Sequence, residues 1–323
     1  MRYRELGQQG KPGLRVSEIG LSTSTIGGTI WVDENGVQSP RGYGLSDDEM
    51  SAKSIESARE LGFNFLFTDP LDGAGHGQEF LGQQISDDRD HWVLTTLGGA
   101  EIKDNCIIKD FSYEALVSGL DRSIDRLTSI DVDLFLLDNP SRSDILSGEC
   151  IDALRKIEST GKAAFVGIDI SRSDVTLEEA VATQVDIVGI KHNLLYPNQA
   201  EAFAEARAAG VDIIARDVHA QKFFAEPIDM LSDFSPEDER STLGTEQVEH
   251  LIDLTSKFSR LGTRKRSLAQ SALMYVLANR AVSVAVVDAS TADLVNQFAS
   301  VESKEYLSDN DLLRIQRVQR DLA

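Results

Sequence analysis

The chain has 323 residues, of which 41% are hydrophobic and 26% charged, and its formal net charge is −21. Proteins that bind nucleic acids or anionic membranes do so through clustered lysine and arginine, so the negative net charge argues against both as partners. Three features lead us to expect a soluble, cytoplasmic protein. No apolar run approaches the ~20 residues that cross a bilayer. The chain has only two cysteines, and its N-terminus lacks the basic-then-apolar order of a secretion signal.

Short apolar segments rich in β-branched residues recur along the chain and predict buried strands. Eight such segments lie at 18–23, 63–68, 91–96, 132–137, 163–168, 185–190, 211–216 and 282–287. Strands that are apolar throughout and alternate with helices favour a closed parallel barrel over an open sheet. We therefore predict one (β/α)8 TIM-barrel domain over residues 1–323, with a short N-terminal β-hairpin and extra C-terminal helices.

Amphipathic segments between these strands predict helices with recognisable ends. One begins at Ser46, with Glu49 three residues later as in a capping box, and ends at Gly62. Further predicted helix features are a single apolar face at Leu116, Leu120, Ile124 and Leu127, and stops at Gly161 and Gly210.

Two long connections, 28–46 and 222–245, are expected to shape the ligand mouth, because strand-to-helix loops do so in such barrels. Either loop is a candidate to cover the mouth or to fill it with side chains such as Phe223 and Phe224. The residues just after each predicted strand form the candidate site, and they are Ser22, Asp69, Thr96, Asp138, Asp169, Lys191, His192, Arg216, Asp217 and Asp288.

Several segments resemble the aldo-keto reductase superfamily in order and spacing. They are "YRELGQQGKPGLRVSEIGLST", Asp69 with "GQEFLG" after it, "VDLFLLDNP", "FVGIDIS" and "MYVLANRAVSVAVVDAS", and the resemblance runs over essentially the whole chain. It implies a barrel that binds NADPH without a Rossmann domain and reduces carbonyls with an Asp, Tyr, Lys and His tetrad. In that chemistry a tyrosine protonates the oxyanion left by hydride transfer, and the lysine lowers the pKa of the tyrosine.

Carried over residue by residue, the tetrad is retained at one position. Asp69 keeps the aspartate, whereas Ala74 stands at the tyrosine position, Thr96 at the lysine position and Asp138 at the histidine position. The positions that match NADPH contacts are also mostly altered, and they are Asp169, Ile170, Gly189, His192, Asp217, Lys222, Asp288 and Ser290.

A dinucleotide bound in the usual pose is expected to meet carboxylates. Two like charges ~4 Å apart repel by about 4 kcal/mol at an effective dielectric of ~20, which reduces affinity about a thousandfold. Lys191 and Lys222 would offset part of this repulsion. We therefore expect no tightly bound cofactor, with NADP(H) as the cofactor if the family function is retained.

The rim also contains side chains of types that bind divalent cations, namely Asp69, Asp72, His76, Asp138, Asp169, His192, Asp217 and His219. Their spacing matches no compact metal motif, so we predict no metal and expect the carboxylates to pair with Arg216, Lys191 and solvent. Tyr43 and Tyr196 are candidate substitute proton donors, although neither has an evident lysine partner from the tetrad, and the alternative is that both are ordinary half-buried loop aromatics.

Three functional hypotheses follow. The first is a barrel that has lost reductase chemistry and binds a small-molecule ligand or a protein partner. The second is a non-redox enzyme in which Asp138 or Asp69 acts as a base. The third is an NAD(P)H-dependent reductase of small aldehydes or ketones with substitute catalytic residues. In each case we expect a small-molecule ligand at the C-terminal mouth of the barrel, and an oligomer remains an open alternative.

Overall fold

The computed structural model describes residues 1–7, 11–34, 36–44, 47–197, 200–229, 232–301 and 307–322. Its strands are β1 (Tyr3–Leu6), β2 (Leu14–Ser17), β3 (Ile19–Ser22), β4 (Ile30–Glu34), β5 (Val37–Arg41), β6 (Phe65–Thr68), β7 (Val93–Gly98), β8 (Ala100–Lys103), β9 (Cys106–Lys109), β10 (Val132–Asp138), β11 (Ala163–Asp169), β12 (Ile187–Lys191), β13 (Asp212–Arg216) and β14 (Val282–Val287). Its α-helices are α1 (Asp48–Glu60), α2 (His76–Ile85), α3 (Tyr113–Arg126), α4 (Arg142–Ser147), α5 (Glu149–Ser159), α6 (Leu177–Ala182), α7 (Ala200–Ala208), α8 (Thr245–Ser256), α9 (Leu268–Ala278), α10 (Ala292–Ala299) and α11 (Asp309–Leu322).

Eight parallel strands close into a barrel. Their order is β3, β6, β7, β10, β11, β12, β13 and β14, and β14 pairs with β3 to complete the ring. Each overlaps one of the eight predicted segments, so the prediction of a (β/α)8 barrel with an N-terminal hairpin and extra C-terminal helices is confirmed. None of the helices in the described residues is both long and apolar enough to span a bilayer.

The barrel core has two layers because side chains alternate across each strand. Inward-facing residues such as Phe67, Leu97 and Leu136 form one buried cluster inside the barrel. Outward-facing strand residues pack against the helices in a second cluster, which includes the predicted apolar face of α3 at Leu116, Leu120, Ile124 and Leu127. This alternation decides which residue at each strand end faces the mouth.

The N-terminal hairpin seals the end of the barrel at which the strands begin. β1 and β2 pair antiparallel, and Leu6 and Val16 join the inner cluster. The backbone N–H of Gly7 donates to Oδ2 of the buried Asp212 at 2.6 Å. The opposite end, where the strands finish, is therefore the end available to a ligand.

Helix ends largely follow the sequence signals. Gly62, Gly161 and Gly210 lie in the left-handed region just beyond α1, α5 and α7, as predicted. At the start of α1 the capping residue is Asp47, whose side chain accepts a hydrogen bond from the backbone N–H of Met50 at 2.6 Å. The predicted cap, Ser46, lies outside the described residues.

Both long connections reach the mouth and are joined above it. The first forms the antiparallel hairpin β4–β5, and the backbone N–H of Glu239 in the second donates to the carbonyl of Gly42 at 2.8 Å. Thr29 Oγ1 also donates to the carbonyl of Glu237 at 2.7 Å. Phe223 and Phe224 are buried against Phe234 and Phe258 respectively, so neither ring fills the mouth.

We expect Gly7→Ala to destabilise the protein, because Gly7 has a φ of +89° and an added Cβ would lie 2.3 Å from the Phe165 ring. The left-handed backbone and the overpacking together predict a loss of about 2–5 kcal/mol in the free energy of unfolding. Gly148→Ala is the matched control, since Gly148 has a φ of +79° with nothing within 4 Å. It should cost only about 1–2 kcal/mol in urea denaturation, and an equal cost for both variants would contradict the steric account.

Candidate functional site

A cavity of about 160 Å³ lies at the mouth of the barrel. One water molecule needs roughly 10–15 Å³ of such cavity volume, so the cavity has room for a ligand of about ten non-hydrogen atoms. Its charged lining consists of Arg41, Asp69, Asp72, Arg172, Lys191, Arg216, Asp217, Glu239 and Asp288. Of the five carboxylates expected at one rim, Asp69, Asp217 and Asp288 line the cavity, whereas Asp138 and Asp169 do not. Arginines from outside the predicted set lie among them.

Asp69 is buried and ion-paired. Its Oδ2 atom lies 2.8 Å from Nη2 of Arg41, and its Oδ1 atom accepts the backbone N–H of Leu71 at 2.9 Å. Arg41 reaches the site from the end of β5, in the hairpin that covers the mouth. Burial raises the pKa of the Asp69 carboxyl and Arg41 opposes that rise. The one retained tetrad residue thus has an arginine as its cationic partner.

Asp72 is a second carboxyl on the cavity wall. The Thr23 hydroxyl donates to its Oδ2 atom at 2.8 Å. Burial, reinforced by the charge of Asp69, raises the pKa of Asp72 to about 7. A group with such a pKa both holds and releases a proton near neutral pH, which is what general acid–base chemistry requires.

Two of the replaced tetrad positions do not face this cavity. Thr96 points outwards from β7, where its hydroxyl accepts from Gln78 Nε2 at 2.9 Å, and the inward-facing residue at that strand end is Leu97. Ala74 is exposed on the turn after β6, with a φ of +55°. Ala74 and Leu97 both line a different cavity, which shares no lining residue with the mouth.

Asp138, at the histidine position, is held beneath the mouth. Its Oδ1 atom accepts from Asn139 Nδ2 at 2.8 Å, and Nη2 of Arg172 lies 3.9 Å away. Lys109 Nζ, from β9, donates to the backbone carbonyls of Asp138 and Asn139 at 3.0 and 2.8 Å. Asp138 does not line the mouth cavity.

The positions matching the nicotinamide contacts are engaged by the protein itself. Asp169 is 1% exposed, its Oδ2 lies 3.2 Å from Arg216 Nε, and its Oδ1 accepts the backbone N–H of Ser171 at 2.8 Å. Gly189 packs beneath it, since an added Cβ would lie 3.1 Å from Asp169 Cγ. Ile170 is buried in the outer cluster. Arg216 in turn lies 3.7 Å from the centre of the Phe67 ring.

His192 lies between the barrel and the helices, not at the mouth. Its ring packs 4.9 Å from Phe203 and 5.5 Å from Tyr275, measured between centroids, and burial lowers its pKa to about 4. His219 is likewise buried, stacked on Phe298, with its pKa lowered to about 4 by burial. His76 is exposed and lies 3.1 Å from Asp48. Across the described ranges, no group of three His, Cys, Asp or Glu residues could hold a metal ion.

Side chains at the positions that match phosphate contacts also bind other groups of the protein. Asp217 Oδ1 accepts the backbone N–H of Gln221 at 2.6 Å, and Lys191 Nζ lies 3.8 Å from Oδ2. Burial raises the pKa of Asp217 to about 6. Asp288 accepts from the Ser24 hydroxyl, and Ser290 lies half-buried just before α10.

Lys222 is buried and does not line the mouth cavity. Its Nζ lies 3.6 Å from Glu226 Oε1 and 4.4 Å from the centre of the Tyr43 ring. Its backbone and those of Ala220 and Gln221 all have positive φ, between 48° and 68°, which is a costly conformation for residues with a Cβ. Arg216 and Lys191 are the cations that the sequence led us to expect beside the rim carboxylates, and their partners are Asp169 and Asp217.

Both candidate tyrosines have a lysine nearby, although neither lysine stands at the tetrad lysine position, which is Thr96. Tyr43 lines the cavity beside Lys222, and Tyr196 is 49% exposed with Lys191 Nζ 5.1 Å from its ring centre. Burial, with carboxylates such as Glu239, raises the pKa of the Tyr43 hydroxyl well above its usual range. Tyr43 therefore holds its proton firmly and is a poor acid.

The raised pKa of Asp72 predicts how the free energy of unfolding depends on pH. Because folding raises its pKa from about 4, the folded state binds the proton more tightly, and this stabilisation is lost as pH rises through about 7. We expect Asp72→Asn, measured by urea denaturation, to lose less stability between pH 5 and 8 than the unmodified chain. Asp87→Asn, at an exposed carboxylate, is the control, and an unchanged slope in Asp72→Asn would contradict the assignment.

Comparisons with known proteins agree with this architecture. The model of the "Aldo/keto reductase family" matches residues 36–320. The chain is 21% identical to "Uncharacterized oxidoreductase YqkF" of Bacillus subtilis over 98% of its own length and 96% of that protein. It is 28% identical to "L-galactose dehydrogenase" of Arabidopsis thaliana over 51% of this chain, and spans about half of that relative, 48%.

Among solved structures, the chain is similar to the holo form of an aldo-keto reductase from Bacillus halodurans. The TM-score is 0.78 at 20% identity, with 98% of this chain and 96% of that one covered. This likeness extends the fold match to almost the whole chain. Together with the family model, it leads to one conclusion: the chain belongs to the aldo/keto reductase family.

Proposed function

We propose that this barrel does not carry out NADPH-dependent carbonyl reduction and instead binds a small hydroxylated molecule at its mouth. The observation that carries the proposal is that the mouth's charged groups bind one another. Arg41 pairs with Asp69 at 2.8 Å and Arg216 with Asp169 at 3.2 Å. No tyrosine, lysine or histidine occupies the tetrad positions beside Asp69.

The residues present do not fit NADP(H) in the family's pose. Both carboxylate oxygens of Asp169 already have donors, and His192 is 2% exposed and enclosed by aromatic rings. Lys222, which would have to meet a phosphate, is buried beside Glu226. An aspartate stands at the serine of the phosphate cradle, so a dinucleotide would introduce like charge next to Asp217.

The cavity suits a neutral, hydroxyl-bearing ligand. Arg41, Lys191 and Arg216 already face Asp69, Asp217 and Asp169, so a charged ligand would have to compete with one of these ion pairs. Hydroxyl groups donate to carboxylates and accept from arginine, and the hydroxyls of Ser22, Ser24 and Ser171 add further partners. A sugar or polyol of about ten non-hydrogen atoms matches the volume, and the name of L-galactose dehydrogenase supports this class.

We expect NADPH and NADH, titrated by their fluorescence, to show no saturable binding in the micromolar range and no oxidation with a panel of aldehydes. At least one small sugar or polyol should raise the melting temperature. Arg172→Ala should lower the affinity for that ligand about tenfold, because it removes a guanidinium donor from the rim.

Arg142→Ala, which removes an exposed arginine on α4 with the same change in charge, should leave the affinity unchanged. Micromolar binding of NADPH with turnover would refute the loss of reductase chemistry. A panel in which no polyol binds, or in which both arginine variants weaken binding equally, would refute the ligand class.

A second candidate is a non-redox enzyme, and Asp72 is the observation in its favour. The sequence hypothesis named Asp69 or Asp138 as the base. Asp69 is ion-paired to Arg41, and Asp138 lies outside the cavity. Asp72 lines the cavity, takes one hydrogen bond from Thr23, and has a pKa raised by burial to about 7. It is the mouth carboxyl placed to move a proton on a bound hydroxycarbonyl compound.

Proton exchange tests this candidate without a cofactor. With dihydroxyacetone or glyceraldehyde in D₂O, we expect the protein to exchange C–H hydrogens next to the carbonyl, followed by NMR. Asp72→Asn should abolish exchange above the buffer rate, whereas Asp87→Asn should keep it. The wild-type rate should rise as pH passes through about 7, because the base is the ionised carboxylate. Equal rates in the two variants would eliminate Asp72 as the base.

A further inference from the structure

We propose that a second cavity, next to the mouth but separate from it, binds a small monocarboxylic acid with an apolar body. This side cavity lies between the end of β7, the β8–β9 hairpin, the turn after β6 and helix α3, and it has a volume of about 420 Å³. It is lined by Ala74 and Leu97 but by no residue of the mouth cavity. The inference is independent of the function proposed for the mouth.

Arg126 supplies the cation of the side cavity. It lies in the last turn of α3 with its guanidinium against Gly75, where an added Cβ would be 2.3 Å from Arg126 Cζ. Gly75, with a φ of +99°, therefore leaves room for the guanidinium. Within the described part of the chain this guanidinium has neither a hydrogen bond nor an ion pair, although it lines a cavity.

The other charged groups of the side cavity are already engaged. Arg122 Nη2 lies 2.9 Å from Glu101 Oε2, and its Nη1 donates to the Ser118 hydroxyl at 2.6 Å. Asp110 accepts the backbone N–H of Ser112 at 2.9 Å. Among the described charged residues of this cavity, Arg126 is thus the one with neither a hydrogen bond nor an ion pair, and a planar guanidinium binds a carboxylate through two parallel hydrogen bonds.

The remaining wall is mostly apolar. Leu97, Ile102, Ile108 and Ala115 face the space, and Ile108 is 42% exposed. Gly119, inside α3, has no side chain to occupy this space. The space beside it is empty, because an added Cβ would have only Arg122 Nη2 within 4 Å, at 3.9 Å. The Arg126 guanidinium beside these apolar side chains suits an aromatic or short aliphatic monocarboxylate.

Ligand-observed NMR titration with benzoate and octanoate, and with benzamide as the uncharged comparison, tests the assignment. We expect one of the two acids to bind saturably and benzamide to bind at least tenfold more weakly. Arg126→Ala should weaken the acid at least tenfold, and Arg126→Lys should restore only part of the affinity because lysine lacks the planar pair of donors. Arg314→Ala, an exposed arginine on α11, should have no effect.

Gly119→Leu provides a second route, because a leucine side chain fills the side cavity while leucine favours the helix more than glycine does. It should abolish acid binding without lowering the melting temperature, and a mouth ligand should still bind. The proposal fails if neither acid binds, if Arg126→Ala and Arg314→Ala behave alike, or if the acid competes with a polyol at the mouth. The last result would move the acid site to the mouth, whereas failure of polyol binding leaves the side cavity unaffected.

Discussion

A carboxylate buried at the end of a barrel strand needs either a proton or a cation, and the cation at Asp69 is Arg41. The pair is formed between a barrel strand end and a surface hairpin, so the position of the hairpin and the charge state of the mouth depend on each other. The hairpin is fixed in turn by the hydrogen bonds of Thr29 and Gly42 to the second long loop. The arrangement of the mouth therefore depends on the Arg41–Asp69 ion pair and on the loops that hold Arg41 in position.

The same pair also explains why neighbouring carboxyls differ. Asp69 and Asp72 share a buried corner, and one cation does not neutralise two carboxylates there. Asp69 pairs with the arginine and Asp72 accepts a hydrogen bond from a hydroxyl, and burial raises the pKa of both carboxyls. Two acidic residues three apart in the sequence thus acquire different partners from their surroundings, one a cation and the other a neutral donor.

The barrel was predictable because strand identity depends on local apolar patterns, and all eight strands were found within a few residues of their bounds. The site was only partly predictable. Thr96 lies in the correct strand but points outwards, and the two-residue period of the strand would have indicated Leu97 instead. Arg41 and Arg172 were missed because their contacts come from loops that are distant in sequence and carry no periodic signal. The shifted pKa of Asp72 depends on burial, which sequence spacing does not reveal.

The left-handed backbone at Ala74 restricts what a substitution at this position could do. Ala74 stands where the resemblance places a tyrosine, yet its turn directs it towards the side cavity, away from Asp69. A tyrosine in place of Ala74 would have a bulky ring at a strained φ. For its hydroxyl to act beside Asp69, the turn would first have to adopt another backbone conformation, so the turn limits the chemistry available at position 74.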